Sequence, residues 1–362
     1  MALPSSGSLR MAQIANEFGY TQGSATKLGD YQHVVGGGNF PQQVGGLNFA
    51  TIDGSPNTGT GSIPVSGSIR FSNFRGTRLQ QVVNFWSSGA GGFRLNAKNR
   101  YNTNAMIGAN NQVAVIGGYR TRPSSSSGTA VHIHVNQAIG SERFDQDHCA
   151  LRTGSWESDT NLFVQVGSSG RVQGAGGFGG NGANGATNGS QGGAGTSGLG
   201  VEYSPTTVNI VGGGIISGGF GGGGGGGGAH DHDHKSERTA SGSGGGGGAG
   251  LPVGQGGTGP NNGTNGAEGS AATNGELAGE GGGETNNEGE AVGGNGGDGG
   301  SPNEAADAGE NGSGGESSGG QGGDPGGNGA AIRRTNGAIT VNINDPSNTL
   351  NGRGSTTETT VQ

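Results

Sequence analysis

A chain of 362 residues with 91 glycines, 27% hydrophobic and 5% aromatic residues has too little apolar surface for one conventional core along its whole length. Its net charge of −8 argues against nucleic-acid binding driven by phosphate contacts. A single cysteine, Cys149, excludes an intrachain disulfide framework, and no stretch has the apolar length of a signal-peptide core or a transmembrane helix.

Composition divides the chain. Residues 1 to about 172 are nearly ordinary, whereas from about Gly174 onward Gly, Asn, Ser and Ala dominate. No Lys or Arg occurs between Arg238 and Arg333, while acidic residues recur from Glu268 to Asp324. Such a block reads as a solubilising surface, or as a face suited to a cationic or sugar-rich partner. Three parts are expected: 1–80, 81–172 and 173–362.

The first part contains a near-repeat: Ser6 to Ile14 matches Ser66 to Phe74. In the first copy Leu9, Ile14 and Phe18 share one face of a predicted helix over Arg10–Phe18, with Ser8 as its N-cap. Ile69, Phe71 and Phe74 are the apolar residues of the second copy, and Gly76 is its expected stop.

From Val82 to Val166 the apolar residues alternate as in strands, notably over Val113–Ile116, Val131–Val135 and Leu162–Val166. A small β domain is expected there. Strand-like units then recur with Gly/Asn-rich turns at 131–141, 162–174, 207–218 and, in degenerate form, 339–354. Such units can stack as β-arches with Ile and Val inward. The later ones bracket glycine-rich excursions at 174–200, 212–253 and 254–327.

On composition alone those excursions are flexible linkers. Their tethering at both ends and their recurrent Asn-Gly pairs, as at Asn181, Asn184, Asn188, Asn265, Asn274 and Asn311, favour an ordered alternative. Glycine adopts a left-handed threefold extended helix, and such helices can pack side by side with hydrogen bonds between neighbours. Ordering so much glycine needs many cooperative bonds to offset its entropy.

Two candidate ligand sets stand out. His230, Asp231, His232, Asp233, His234 and Lys235 interrupt the glycines at an expected loop tip, with Arg238 just beyond. In an extended chain the three histidines lie on one side and the aspartates on the other. That spacing suits a transition-metal ion, or a charged, pH-sensitive contact loop. His132 and His134 form a second pair within a strand-like run; the bland alternative is two outward-facing strand residues. No other cofactor is indicated, no Gly run has a phosphate-binding context, and no catalytic frame of carboxylates or of Cys149 with His148 is recognisable. The chain reads as no enzyme.

The pairing of LPSSGSLRMAQIANEFG with SGSIRFSNFRG resembles an N-terminal segment of tailed-phage virion proteins. That resemblance implies docking on other tail or baseplate proteins through Leu9, Ile14, Phe18, Ile69, Phe71 and Phe74. The run from Asn161 to Gly228, and the closing GNGAAIRRTNGAITVNI and LNGRG, resemble the glycine-rich region of phage tail-fibre and tail-tip adhesins. That family implies sandwiches of packed polyglycine II helices whose distal loops touch the host receptor, an outer-membrane protein or a glycan. In trimeric fibres of this kind His-x-His pairs meet around a threefold axis, which would make the chain a homo-oligomer. The long acidic block at 260–325 departs from the family pattern. The expected role is a structural, adhesive virion protein of a tail, made in the host cytoplasm. Its rival is a baseplate or fibre connector that meets no receptor.

Overall fold

The computed structural model describes residues 3–4, 6–17, 43–44, 47–48, 52–53, 68, 70–75, 78–79, 81–85, 95–97, 113–117, 130–143, 148–158, 160–210, 213–233, 236–261, 265–266, 279–283, 285–286, 291–302, 305–313, 319–344 and 350–351. It is mainly β, with a single α-helix among these residues, Met11–Glu17.

Strands from Gln81 to Asn351 wind into one coil with three parallel faces. The first face stacks Gln81–Phe85, Ala130–Val135, Asn161–Val166, Thr206–Ile210 and Val341–Asn344. The second stacks Ala138–Ile139, Arg171–Gln173, Ile215–Ser217 and Leu350–Asn351. The third stacks Leu95–Asn96, Cys149–Arg152, Ser197–Val201 and Ile332–Arg334. From Ala130 on the chain visits the three faces in order, so successive turns form rungs. Val113–Gly117 pairs antiparallel with Gln81–Phe85 at one edge of the first face. Among the described residues four antiparallel pairs belong to none of the faces: Gln43–Val44 with Leu47–Asn48, Ile52–Asp53 with Arg78–Leu79, Ala229–Asp233 with Ser236–Ala240, and Thr285–Asn286 with Val292–Gly293.

Alternation explains the coil. Val131, Ile133 and Val135 point inward on one strand, and Leu162, Val164 and Val166 on the next, in register. They meet Ile139, Val172 and Ile216 from the second face and Leu151, Leu199 and Ile332 from the third, all in a single core. No rung can close a core alone; stacking makes one. The corners are pinned locally. A side chain on Gly170 would strike the Val135 carbonyl oxygen at 2.2 Å. The Trp156 ring NH donates to the Thr153 carbonyl at 2.9 Å, and the Tyr203 hydroxyl to the Glu157 carbonyl at 2.9 Å.

The expected small β domain and the base of the glycine-rich part thus share these faces. Asn161–Val166, Arg171–Gln173 and Ser197–Val201 form one rung across residue 172. The excursions leave between the second and third faces. One runs from Gly174 to Thr196, and the other from Gly218 to Ala331. Two excursions were expected beyond residue 212, but the second returns to the faces only at Ile332. About a third of the way along it touches the coil, where Leu251 and Val253 carbonyls accept from the Ser141 amide at 3.0 Å and the Arg143 guanidinium at 2.5 Å.

The near-repeat is real in structure. Both copies start a helical turn whose first amide is held by a side chain three residues on: Arg10 N to Gln13 Oε1 and Arg70 N to Asn73 Oδ1, each at 2.8 Å. The Arg75 guanidinium reaches the Gly7 carbonyl at 2.7 Å, tying one copy to the other. The first helix is Met11–Glu17, so the capping position is Arg10 and not Ser8. An amide that needs an acceptor is satisfied equally well by Gln13 from inside the helix.

Candidate functional site

The excursions form a lattice of extended segments. Their backbone bonds run between segments at intervals of three residues. Gly177, Gly180 and Ala183 donate to Phe220, Gly223 and Gly226; Gly176, Gly179 and Gly182 donate to Pro252, Gln255 and Thr258. Carbonyls of Ala175, Phe178 and Asn181 accept from Thr196, Gly193 and Ser190. Each residue of a three-residue turn therefore serves a different neighbour.

Segment 218–228 lies at the centre. It donates to 187–196, 243–249 and 307–310, and accepts from 177–183, 294–300 and 320–329, so six segments surround it. A side chain at Gly222, Gly223 or Gly224 would fall 1.8–2.0 Å from carbonyl oxygens of three different neighbours. That is why Gly221 to Gly228 contains nothing but glycine. Outer segments keep side chains on the rows that face water. Phe178 and Asn181 form such a row, as do Asn188, Gln191 and Ala194, and Gln321 and Asp324.

The strands set the register of the lattice. Arg171–Gln173 runs into 174–183 and Ile215–Ser217 into 218–228, and the ladder between them continues as Gly174 N to Ser217 O at 3.0 Å and Gly177 N to Phe220 O at 2.8 Å. The repeat changes from two residues to three where side chains give way to glycine.

Parts of the acidic block belong to the lattice as well. Gly294, Gly297 and Gly300 bond to the central segment, while Asp298, Asp307, Glu310 and Asp324 are exposed on outer rows. Beside them lies an open cleft of about 460 Å³, lined by Gly281–Gly283, Asn295–Asp298, Asp307, Ala308 and Glu310. Two of its three carboxylates are engaged locally: Asp298 accepts from the Gly281 amide and Glu310 from the Asn295 side chain, both at 2.7 Å.

The connections gather at the end of the lattice away from the coil. The turn at 184–187 and the termini of segments 218–228 and 319–330 meet there: Thr187 accepts from the Gly228 amide at 3.1 Å, and Gly228 from the Gly320 amide at 2.7 Å. The Ser241 hydroxyl donates to Asn184 Oδ1 at 3.1 Å.

The histidine-rich interruption sits at this end. It is an antiparallel hairpin, Ala229–Asp233 with Ser236–Ala240, where a loop was expected. Cross-strand pairing places Asp231 opposite Arg238 and His230 opposite Thr239. Asp231 is 5% exposed and so is withdrawn from any contact surface, whereas Arg238 is exposed and His230 half-buried. His232 and Asp233 lie on the hairpin strand; His234 and Lys235 fall outside the described residues. Among the described residues no group of three His, Cys, Asp or Glu could hold a metal ion.

His132 and His134 lie on the outer side of the first face, away from the core. The His132 ring stacks on Phe163 with centroids 4.6 Å apart, and the two imidazoles are 5.8 Å apart. His134 is 2% exposed. Neither is therefore a simple outward-facing strand residue. Burial lowers the His132 pKa from 6.5 to about 4. Burial, and then His132, push that of His134 well below its ordinary value. The folded state thus favours the neutral rings. The contribution of His132 to stability is complete above the unfolded value of 6.5 and is lost as pH falls toward about 4, and that of His134 is lost in the same direction. Each ring is expected to steepen the acid loss of stability by at most about 1.4 kcal/mol per pH unit. Urea titrations across that window check this, and a His132→Leu/His134→Leu variant should flatten the slope.

Of the expected docking residues, Ile14 and Phe74 are fully buried within the chain, Leu9 is half-buried and Phe71 is 43% exposed. Packing, not a partner, accounts for the first two. Phe18 and Ile69 fall outside the described residues.

No family model matches this chain, and no curated protein does. One solved structure is similar. It is the crystal structure of the gp37-gp38 adhesin tip complex of the bacteriophage S16 long tail fiber, at 16% identity and a TM-score of 0.33, covering 81% of this chain and 89% of that one. A likeness at that score does not establish a shared fold.

The sequence reading missed the three-residue period and the clustering it produces. The signal was present: Gly294, Gly297 and Gly300, and Gly320, Gly323, Gly326 and Gly329, mark the rows that face neighbouring segments.

Proposed function

We propose that this chain is a non-enzymatic structural and adhesive protein of a phage tail, whose glycine-rich lattice is a packed polyglycine II domain that presents its distal connections to a receptor on the host surface. The observation that carries this reading is the distal gathering of the 184–187 turn and the 229–240 hairpin on a support of segments hydrogen-bonded to one another. Glycine segments held on several sides by neighbours form a stiff spacer, whereas a linker would leave the tips free. Recognition residues on connections held by a rigid scaffold are a common arrangement. The contact set is His230, Arg238 and the rest of the hairpin other than Asp231; the host ligand is an outer-membrane protein or a glycan. The N-terminal repeat is the attachment to other tail proteins, with Phe71 as its exposed apolar residue. The location is the virion tail, after assembly in the host cytoplasm.

The test replaces residues 229–240 by a short Gly-Asn turn in the assembled particle. Loss of adsorption, with particle yield and protease resistance of the glycine-rich half unchanged, is the expected result. Unchanged adsorption would favour the architectural connector. Rapid digestion of everything after Val172 in the particle would sink the packed lattice itself.

A further inference from the structure

Asn-Gly pairs have a defined place in this lattice. Asn181 Oδ1 accepts from the Thr258 amide at 2.9 Å, while the next residue, Gly182, donates its own amide to the Thr258 carbonyl at 2.9 Å. Asn188 and Gly189 hold Gln321 in the same way, at 2.9 and 2.8 Å. Two further pairs use residues two apart on the neighbour. Asn311 accepts from Gly322 while Gly312 donates to Gly320, both at 2.9 Å; Asn328 accepts from Gly221 while Gly329 donates to Gly219, both at 2.8 Å. Each is a lateral clasp. The side-chain oxygen supplies an acceptor for a neighbouring amide, and glycine permits the close approach that its own donor needs.

Asn-Gly is also the dipeptide most prone to lose its amide. The glycine nitrogen attacks the asparagine Cγ, the Cγ–N bond breaks and ammonia leaves. Water then opens the succinimide to aspartate or isoaspartate. Ring closure needs the glycine N–H to give up its proton and its nitrogen to swing toward Cγ. A clasp opposes both, because the N–H is already donated and Oδ1 is fixed on another segment.

Asn336-Gly337, at the corner between Ile332–Arg334 and Val341–Asn344, has no clasp. Both residues are exposed, and the Gly337 amide donates to no acceptor among the described residues. Asn336 Oδ1 accepts from the Ala338 amide at 3.0 Å, which folds the side chain around the Gly337 nitrogen. We propose that Asn336 is a deamidation site of the folded protein, and that the clasps shield Asn181, Asn188, Asn311 and Asn328. Asn184-Gly185 holds half a clasp, through Ser241, and is expected to fall between the two classes. Conversion of Asn336 to isoaspartate inserts a methylene into the backbone of the corner between Ile332–Arg334 and Val341–Asn344 and leaves the lattice intact.

The experiment incubates the full chain in mildly alkaline buffer and follows each Asn-Gly peptide by mass spectrometry, with a urea-unfolded sample in parallel. The folded protein is expected to convert Asn336 and to spare the four clasped asparagines, while the unfolded sample converts all of them together. Clasped residues converting as fast as Asn336 in the folded protein, or an intact Asn336, would overturn the proposal. Gly337→Ala separates the chemistry from the fold. Its Cβ meets nothing within 4 Å, so the protein stays folded, and the added methyl should suppress conversion at Asn336. Unchanged conversion in that variant counts against ring closure through the Gly337 nitrogen.

Discussion

Gly224→Ala is expected to collapse the glycine-rich lattice. The added methyl would sit 1.8 Å from the Gly323 carbonyl oxygen and 2.8 Å from the Gly309 nitrogen. Both are backbone atoms of neighbouring segments, so no rotamer change relieves the clash. Either the central segment moves out of register or two neighbours do, and each route breaks bonds at three-residue intervals along the segment. The cost is expected to exceed about 4 kcal/mol, in the range reserved for severe core defects. Limited proteolysis of 174–330, together with thermal unfolding, reads it directly. Gly283→Ala is the control, because its methyl meets nothing within 4 Å and should change stability by less than about 0.5 kcal/mol. Wild-type resistance in Gly224→Ala would mean that the segment is not enclosed.

Leu151→Ala attacks the other half of the molecule and is expected to unfold both. Leu151 is fully buried in the core and stands in register with Leu199 on the next rung, which in turn pairs with Ile332. Truncation leaves a cavity and costs about 2–5 kcal/mol. The strands it supports anchor segment ends directly: Ser197 follows one returning segment and Ile332 another. Their register is also the register of the lattice, since Gly195 N to Gly327 O and Gly198 N to Ala330 O continue the same pairing, each at 2.9 Å. Coil and lattice should therefore lose structure in one transition. Fluorescence of Trp156, which is 7% exposed, reports the coil, and proteolysis of the glycine-rich segments reports the lattice. A lattice that outlasts the coil in Leu151→Ala would show two independent units.

Much of the coil was legible because alternation is a local property. Val131–Val135 and Leu162–Val166 announce their inward faces within a few residues, and the structure stacks them in register. The hairpin at 229–240 was less legible. Its charged residues read as a loop tip, and only antiparallel pairing with 236–240 revealed that Asp231 is buried. The docking set was legible only in part. Apolar residues of the N-terminal repeat look alike in sequence, whereas burial separates Ile14 and Phe74, which are enclosed, from Phe71, which is not.

By itself the sequence determined that the chain is mainly β, that its strands are units of one repeating kind, and that the glycine tracts are tethered at both ends. Those conclusions follow from period-two patterning and composition, which act over short stretches of chain. Only the tertiary structure decided which glycine is indispensable. A threefold extended segment has no bonds of its own, so its partners are defined entirely by packing. Gly224 and Gly283 are the same residue in the same kind of context, and only the presence of a neighbour 1.8 Å from a would-be methyl distinguishes them. The same holds for asparagine: Asn181 and Asn336 both precede glycine, and the surrounding segments alone make the first a clasp and leave the second open.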